Sequence, residues 1–168
     1  MKTLILVRHA KSSWDDHSAG DAERKLNKRG KEDAPFMGKL IADKGIVPEL
    51  IYSSPAKRAR TTAKFFAEAL NYPKEKIDLR DLIYDRGPRF IIMMINETSD
   101  DLNTIMLFGH NPDQTSMLNS LAGENVYNVP TCGVACIDFD IESWAEVGDK
   151  PGKLRFFEFP KKYPNRKR

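Results

Sequence analysis

The chain has 168 residues, of which 40% are hydrophobic and 30% are charged, and its formal net charge is +3 at pH 7. These values are typical of one globular domain with a hydrophobic core, so we expect a single domain over residues 1–168. The small net charge argues against nucleic acid as a partner, and the sequence contains no apolar run long enough to cross a membrane.

The first predicted strand is an apolar run at residues 3–7, and Arg8 and His9 follow it directly. This run of five residues ends in a charged pair, which does not fit a secretory signal peptide. Polar residues at the end of a buried strand emerge at the carboxyl edge of the sheet, where open α/β folds bind their ligands. We therefore expect Arg8 and His9 to lie in a binding site.

The first predicted helix covers residues 30–44, with its apolar residues on one face and Gly45 after its last turn. Pro35 falls inside this pattern and lacks the backbone N–H that a helix interior uses, so we expect the helix to begin nearer residue 34. An apolar segment at residues 50–53 predicts the second strand.

Ser54 and Pro55 predict the start of a second helix, because serine is a favoured N-cap and proline suits the first helical position. The helix pattern continues to about Leu70 and places Arg58 in its first turns. A short third strand is expected at residues 77–79.

The second half of the chain repeats the pattern of strand and helix. A buried strand at residues 104–108 is followed closely by His110, and a helix is expected at residues 113–121. The last two strands are predicted at residues 134–139 and 154–159, where they can pair as neighbours. Strands separated by helices favour a mostly parallel central sheet with helices on both faces, which is a three-layer α/β/α fold.

Cys132 and Cys136 are the only cysteines. In an extended segment they would be about 13 Å apart at about 3.3 Å per residue, beyond the reach of a disulfide. Free thiols fit a reducing compartment, so we expect a cytoplasmic protein. The basic tail from about residue 161 is expected to be frayed and solvated, and His17 is expected to be exposed in a polar loop.

The ends of three predicted strands can bring Arg8, His9, Arg58 and His110 into one pocket. Phosphoryl transfer needs fixed donors around the equatorial oxygens, and two guanidinium groups match phosphate well. A neutral imidazole can attack phosphorus, and a second imidazole can donate a hydrogen bond when it is protonated. This set of residues therefore predicts a phosphoryl-transfer site that requires no metal and no cofactor.

Other chemistries fit the sequence less well. The glycines do not have the spacing of a dinucleotide-binding motif or a P-loop, and no serine stands in a nucleophile elbow. A zinc site is disfavoured because the HExxH pattern is absent and nearby arginines would repel a cation. A single histidine at a strand end is more often a structural residue, but two such histidines favour a site. Ser12 can either cap a turn or contact phosphate.

The motifs around these residues resemble those of the histidine phosphatase superfamily, and they lie at residues 6–12, 24–30, 53–63, 109–112 and 130–133. The short chain, and Ala10 directly after His9, resemble the SixA-like phosphohistidine phosphatase branch. The resemblance implies a phosphoglycerate mutase-like fold, with His9 as the nucleophile. It also implies a phosphate pocket made by Arg8, Arg58 and His110, to which Ser12 is a further candidate.

Two positions depart from the superfamily pattern. Asp15 stands where a related branch has asparagine, and its charge would repel a phosphate unless it points away or pairs with an arginine. Larger members use a carboxylic acid after the third strand as proton donor, and here only Asp81 and Asp85 are candidates. Because an imidazole leaving group can depart already protonated, a missing donor would favour phosphohistidine over an alcohol phosphate.

We therefore predict a metal-independent phosphatase that forms a phosphohistidine intermediate on His9 and acts on phosphohistidine-bearing protein. Within enzymes, the alternative is a small-molecule phosphomonoesterase or a mutase-type phosphotransferase, for which Asp85 is the candidate donor. The alternative from another class is a catalytically silent module that binds phosphorylated partners. The partner is in each case a phosphorylated protein or small molecule, with no role expected for nucleic acid or membrane.

Overall fold

A computed structural model describes residues 1–15 and 18–166, which form a central sheet with helices on both faces. The strands are β1 (Lys2–Arg8), β2 (Leu50–Ser53), β3 (Asp78–Leu79), β4 (Thr104–Gly109), β5 (Val134–Phe139) and β6 (Lys153–Glu158). The helices are α1 (Lys28–Asp43), α2 (Lys57–Ala69), α3 (Pro88–Asn96) and α4 (Asp113–Ala122).

The six strands form one mixed sheet in the order β3-β2-β4-β1-β5-β6. The β3, β2, β4 and β1 strands pair in parallel, whereas β5 and β6 extend the sheet in antiparallel fashion. The β1 strand lies next to β4, with Arg8 opposite Gly109. The residues that follow these two strands therefore emerge side by side at one edge, and the predicted α/β fold with a mostly parallel sheet is confirmed.

The core lies on both faces of the sheet because successive side chains of a strand point to opposite faces. In β1, Leu4 and Leu6 belong to the cluster that α3 and α4 cover, and Ile5 and Val7 belong to the cluster under α1 and α2. All four side chains are at most 2% exposed. This double burial fixes β1 rigidly and with it the direction in which the chain leaves the strand at Arg8.

The first helix begins earlier than its sequence predicts. Asn27 caps α1 by accepting a hydrogen bond from the backbone N–H of Gly30 (2.9 Å), and Pro35 lies inside the helix. The expected start near residue 34 is therefore wrong. The cap and the buried face that includes Met37 and Ile41 outweigh the single backbone hydrogen bond that proline cannot make.

One helix was not predicted at all. The α3 helix follows Gly87, which has a φ of +94° that glycine tolerates, and Pro88 occupies its first turn. Ile91, Met94 and Ile95 are buried against the sheet. The apolar spacing of this segment and its Gly-Pro start are the signals that could have identified the helix.

The tail is ordered as far as the structure describes it. A single turn of 3₁₀ helix at Pro160–Lys162 is followed by Arg166, whose guanidinium pairs with the buried carboxylate of Asp33. The expectation of a frayed tail is therefore wrong for residues 161–166, because a buried carboxylate retains its counterion. Residues 167 and 168 lie outside the described part of the chain, as does His17.

Two further observations concern the cysteines and the helices. Cys132 and Cys136 are both free and buried. Across residues 1–15 and 18–166, no helix combines the length and the apolar character that crossing a bilayer requires.

Candidate active site

The four residues that the sequence places at strand ends line one cavity at the carboxyl edge of the sheet. This inner cavity has a volume of about 200 Å³. Its lining residues are Arg8, His9, Lys11, Ser12, Trp14, Arg24, Arg58, His110, Asn111 and Thr131. The rings of His9 and His110 lie 5.3 Å apart between centroids. The parallel pairing of β1 with β4 produces this proximity, since each histidine directly follows its strand.

His9 is held as a neutral imidazole with one free nitrogen. Its ring is 7% exposed, and its Nδ1 lies 2.7 Å from the carbonyl oxygen of Ala10. A carbonyl can only accept, so Nδ1 carries the proton and the lone pair remains on Nε2. Burial lowers the pKa of His9 to about 3, an effect that the Ala10 hydrogen bond only partly offsets and that His110 and Arg58 reinforce.

His110 has a similar environment but a different hydrogen bond. Its Nε2 lies 2.8 Å from Oγ of Ser54, and its Nδ1 is buried without a hydrogen-bond partner among the described residues. Burial, followed by the charge of Arg58, lowers the pKa of His110 to about 4. A phosphate dianion in the inner cavity would act in the opposite direction, because a nearby negative charge favours the protonated ring.

The two predicted arginines are each held in place by hydrogen bonds from their terminal guanidinium nitrogens. Arg8 donates from Nη1 to the carbonyl of Val129 (2.9 Å), and Arg58 donates to the backbone carbonyl (2.7 Å) and the carboxylate (3.0 Å) of Asp21. In both arginines Nε is buried and has no partner in the described part of the chain. Buried N–H groups without an acceptor are uncommon in folded proteins, and here both belong to residues that line the inner cavity.

The start of α2 differs from its prediction but still places Arg58 in the cavity. The helix begins at Lys57 rather than at Pro55. Oγ of Ser54 accepts from the backbone N–H of Ala56 (3.1 Å) and also contacts His110, so Ser54 orders the turn before the helix. Arg58 therefore lies in the first turn, at the positive end of the helix.

Ser12 contacts an arginine that the sequence did not single out. Its Oγ accepts from Nη1 of Arg24 (2.9 Å), and the guanidinium of Arg24 stacks on Trp14 at 3.5 Å from the ring centroid. Ser12 lines the inner cavity, so the question of phosphate contact stays open for this residue. Asp15 does not line the inner cavity. Arg24 lies within the motif at residues 24–30, and this position was the available signal.

Asp21 and Tyr84 were both missed by the sequence analysis. Asp21 lies in a 3₁₀ turn at Asp21–Glu23 and accepts a short hydrogen bond from the hydroxyl of Tyr84 as well as the bonds from Arg58. The hydrogen bond from Tyr84, together with Arg58, lowers the pKa of Asp21 to about 2. No motif surrounds either residue, so their contact across 63 positions had no signal in the sequence.

A second, larger cavity adjoins the first. This outer cavity has a volume of about 470 Å³. Its lining residues are Asp21, Arg58, Tyr84, Asp85, Gly87, His110, Asn111, Pro112 and Asp113. The predicted donor candidate Asp85 therefore lies beside the inner cavity, with a φ of +58°, whereas Asp81 lines neither cavity. Burial, followed by the charge of Asp85, raises the pKa of Asp113.

The described residues contain no metal-binding cluster. Across residues 1–15 and 18–166, no group of three or more His, Cys, Asp or Glu side chains is placed to hold a metal ion. The positive charge of the inner cavity comes from side chains that line it, including Arg8, Arg24 and Arg58.

Comparison with known proteins agrees with this geometry. The model of the histidine phosphatase superfamily (branch 1) matches residues 4–86. An uncharacterised chloroplastic protein of Arabidopsis thaliana is 32% identical over 159 residues, which cover 87% of this chain and 70% of the relative. Phosphoglycerate mutase 1 of Saccharomyces cerevisiae is 34% identical over 70 residues, which are 40% of this chain but only 28% of the mutase.

A solved structure matches almost the whole chain. It is a protein from Agrobacterium tumefaciens assigned as the phosphohistidine phosphatase SixA. The two chains are 28% identical and superpose with a TM-score of 0.81 over 95% of this chain and 98% of that one.

Proposed function

Since the chain belongs to the histidine phosphatase superfamily and is a SixA-like phosphatase, we propose that it hydrolyses phosphohistidine on proteins through a covalent intermediate on His9. The observation that carries the proposal is the state of His9. Its Nδ1 is bound to the Ala10 carbonyl and its pKa is about 3, so Nε2 is an unprotonated nucleophile at neutral pH.

The proposed reaction has two displacements at phosphorus. The substrate imidazole is protonated on the nitrogen that does not carry phosphorus. Nε2 of His9 attacks, a P–N bond to His9 forms, and the P–N bond to the substrate breaks, so the substrate ring leaves as a neutral imidazole that retains this proton. Water then attacks the phosphoryl group on His9, the second P–N bond breaks, and inorganic phosphate leaves while a proton from the water passes to solvent. The enzyme returns to its starting state without a metal ion or cofactor.

The charged groups of the inner cavity serve the transferring phosphoryl group. Arg8 and Arg58 line the inner cavity and place their positive charge beside the phosphoryl oxygens, and Asp21 holds Arg58 in place. His110 also lines this cavity, and its pKa rises when a dianion binds, so it adds a further positive charge. Ser12 is a further candidate for phosphate contact, because its Oγ accepts from Arg24 and its O–H can still donate.

A protein substrate fits the size of the inner cavity. At about 200 Å³ it is smaller than most small-molecule sites, and it suits a phosphoryl group whose carrier remains outside. The solved structure from Agrobacterium tumefaciens, which is assigned as a phosphohistidine phosphatase, supports the same substrate class. The two buried free thiols support a reducing compartment, and we include a cytoplasmic location in the proposal.

A small-molecule phosphomonoesterase or mutase-type transferase is the second candidate. It is favoured by the carboxyl groups of Asp85 and Asp113 in the outer cavity, because an alcohol leaving group needs a proton donor. The raised pKa of Asp113 makes this residue a donor candidate beside Asp85. A silent phosphate-binding module would hold phosphate without turnover.

The test compares a phosphohistidine peptide with a panel of small phosphomonoesters, with chelator present throughout. We expect a clear preference for the peptide, and Asp85→Asn should slow alcohol phosphates while barely changing kcat for phosphohistidine. Preference for a monoester would support the second candidate and turn attention to Asp85 and Asp113. Phosphate binding without turnover of any substrate would leave the silent module.

A further inference from the structure

The outer cavity contains acidic side chains, two of which have no role in the proposed reaction at His9. Three of its lining residues are aspartates, in contrast to the basic lining of the inner cavity. The carboxylate of Asp21 is neutralised by Arg58 at 3.0 Å and Arg24 at 3.3 Å. Asp85 and Asp113 form no ion pair within 4.0 Å with any residue that the structure describes. Two uncompensated negative charges therefore face this cavity.

A second observation links these charges to a ligand. His110 lines both cavities, is only 9% exposed, and keeps its Nδ1 buried without a partner in the described chain. Its ring lies 5.3 Å from the ring of His9 and 5.5 Å from that of Tyr84. His110 is therefore the boundary between the nucleophile and the outer cavity.

The geometry of phosphoryl transfer assigns a role to this boundary. The attacking and leaving groups lie roughly in line on opposite sides of the phosphorus atom. With His9 attacking from the inner cavity and His110 contacting the phosphoryl group, the outer cavity is the space into which the leaving group and its flanking residues extend. At about 470 Å³, it can hold an imidazole and part of a neighbouring side chain.

We infer that the outer cavity selects phosphohistidine substrates that carry a lysine or arginine next to the phosphorylated residue. This inference rests on the function proposed above and adds a specificity to it. Asp85 and Asp113 attract the flanking cation and repel a flanking carboxylate, while the inner cavity binds the phosphoryl dianion. The site is thus matched to a dipolar substrate, with negative charge on the phosphoryl group and positive charge beside it.

The size of the expected effect follows from the exposure of the two carboxylates. Pairing with a flanking cation at a partly exposed site is weak, and repulsion of a flanking carboxylate is of similar size. For two carboxylates, the ratio of kcat/KM between cationic and anionic peptides is then about tenfold. Added salt reduces the ratio, because charges open to solvent are screened.

The experiment uses two phosphohistidine peptides that differ only in a lysine or glutamate next to the phosphorylated residue. The wild-type enzyme should prefer the lysine peptide by about tenfold in kcat/KM, and the double variant Asp85→Asn with Asp113→Asn should reduce this preference to less than about twofold. Asparagine tolerates the positive φ of residue 85 and the first turn of α4, so the double variant should fold. Asp101→Asn is the matched control, since Asp101 is exposed and precedes β4 at the other end of that strand.

The outcomes separate this inference from the proposed function. Equal hydrolysis of both peptides by the wild-type enzyme, or a lysine preference that survives the double variant, would overturn the inference and leave the phosphohistidine activity standing. An equal loss of kcat on both peptides in the double variant would show proton donation rather than charge selection, which also overturns it. Hydrolysis of neither peptide would remove the proposed function and this inference together.

Discussion

The inner and outer cavities share Arg58, His110 and Asn111 but differ in almost every physical property. The inner cavity is small and basic, and His9, Arg58 and His110 in it are at most 9% exposed. The outer cavity has more than twice the volume and contains the exposed carboxylate of Asp85. In this molecule the sheet edge and the first turn of α2 thus position the residues of the inner cavity, whereas loops and turns form much of the outer cavity.

The largest effect should come from removing the nucleophile in the inner cavity. We expect His9→Ala to lower hydrolysis of a phosphohistidine peptide by about 10⁴-fold or more, since no other group can form the covalent intermediate. Binding of inorganic phosphate, measured by calorimetry, should persist because Arg8, Arg58 and His110 remain. Turnover at the wild-type rate would remove the mechanism, and simultaneous loss of phosphate binding would indicate a structural role for His9.

The next effect should come from Arg58, which serves both cavities. Arg58→Lys loses the paired hydrogen bonds to Asp21 and the planar guanidinium that matches phosphate, so kcat/KM should fall by about 10²-fold. Arg60→Lys is the matched control, because Arg60 lies two positions further along α2 and only pairs with Glu23 at 4.0 Å. Similar losses in the two variants would mean that helix stability, rather than phosphate contact, explains the result.

The burial of the inner cavity should appear in the pH dependence of stability. The folded-state pKa of His9 is about 3 against 6.5 in an unfolded chain, so protons bind the unfolded chain first as the pH falls below 6.5. The stability that the neutral His9 ring contributes is complete above pH 6.5 and is lost between pH 6.5 and about 3. Its loss lowers the free energy of unfolding by about 2 kcal/mol between about pH 7.5 and pH 5.

Urea unfolding at the two pH values measures this loss. His9→Asn should remove about 2 kcal/mol of the pH dependence, and His110→Asn should remove a similar amount because its folded-state pKa is about 4. A pH dependence that is identical in the wild type and both variants would show that neither imidazole is held neutral by burial.

A smaller effect should come from Asp21, which holds Arg58 between the two cavities, and from Tyr84, which binds Asp21. Asp21→Asn weakens the grip on Arg58 and should lower kcat/KM by about tenfold, whereas Tyr84→Phe removes one hydrogen bond and should cost about fivefold. Glu23→Gln makes the same change of charge in the same turn without touching Arg58 and should leave activity near the wild-type value. If Glu23→Gln lowered kcat/KM as much as Asp21→Asn, the negative charge of the turn rather than the contact with Arg58 would be responsible.

The residues that the sequence places after its predicted strands lie together at the inner cavity, because strand ends have strong local signals, and their catalytic roles stay predictions. The residues that follow β1 and β4 are specified by apolar runs, and parallel pairing of these strands then brings His9 next to His110. Ser54, in contrast, was identified as an N-cap, but its hydroxyl orders the turn before the helix and contacts His110. Local propensity placed the helix start two residues too early and missed the role of Ser54 in the site.

Apart from Asp85 and the residues that it shares with the inner cavity, the lining of the outer cavity was not predicted from the sequence. Asp21 and Tyr84 are 63 positions apart in the sequence, and no periodic pattern predicts their contact. The same is true of Arg166 and Asp33, which are 133 positions apart and do not line this cavity. Such contacts depend on how loops and turns fold over the finished sheet. The α3 helix is a different case, since its Gly-Pro start and apolar spacing were present at residues 87–96.

The most direct test of the account is to trap the phosphoryl group on the enzyme. The protein is mixed with a phosphohistidine peptide in the presence of chelator, quenched in alkali within the first turnover, and digested with trypsin, which cleaves after Arg8 and Lys11 and so separates His9 from His17. We expect the phosphoryl group on the fragment that contains His9 and none on this fragment in His9→Ala. Rapid hydrolysis of the peptide with no phosphoryl group on His9 would contradict the central claim.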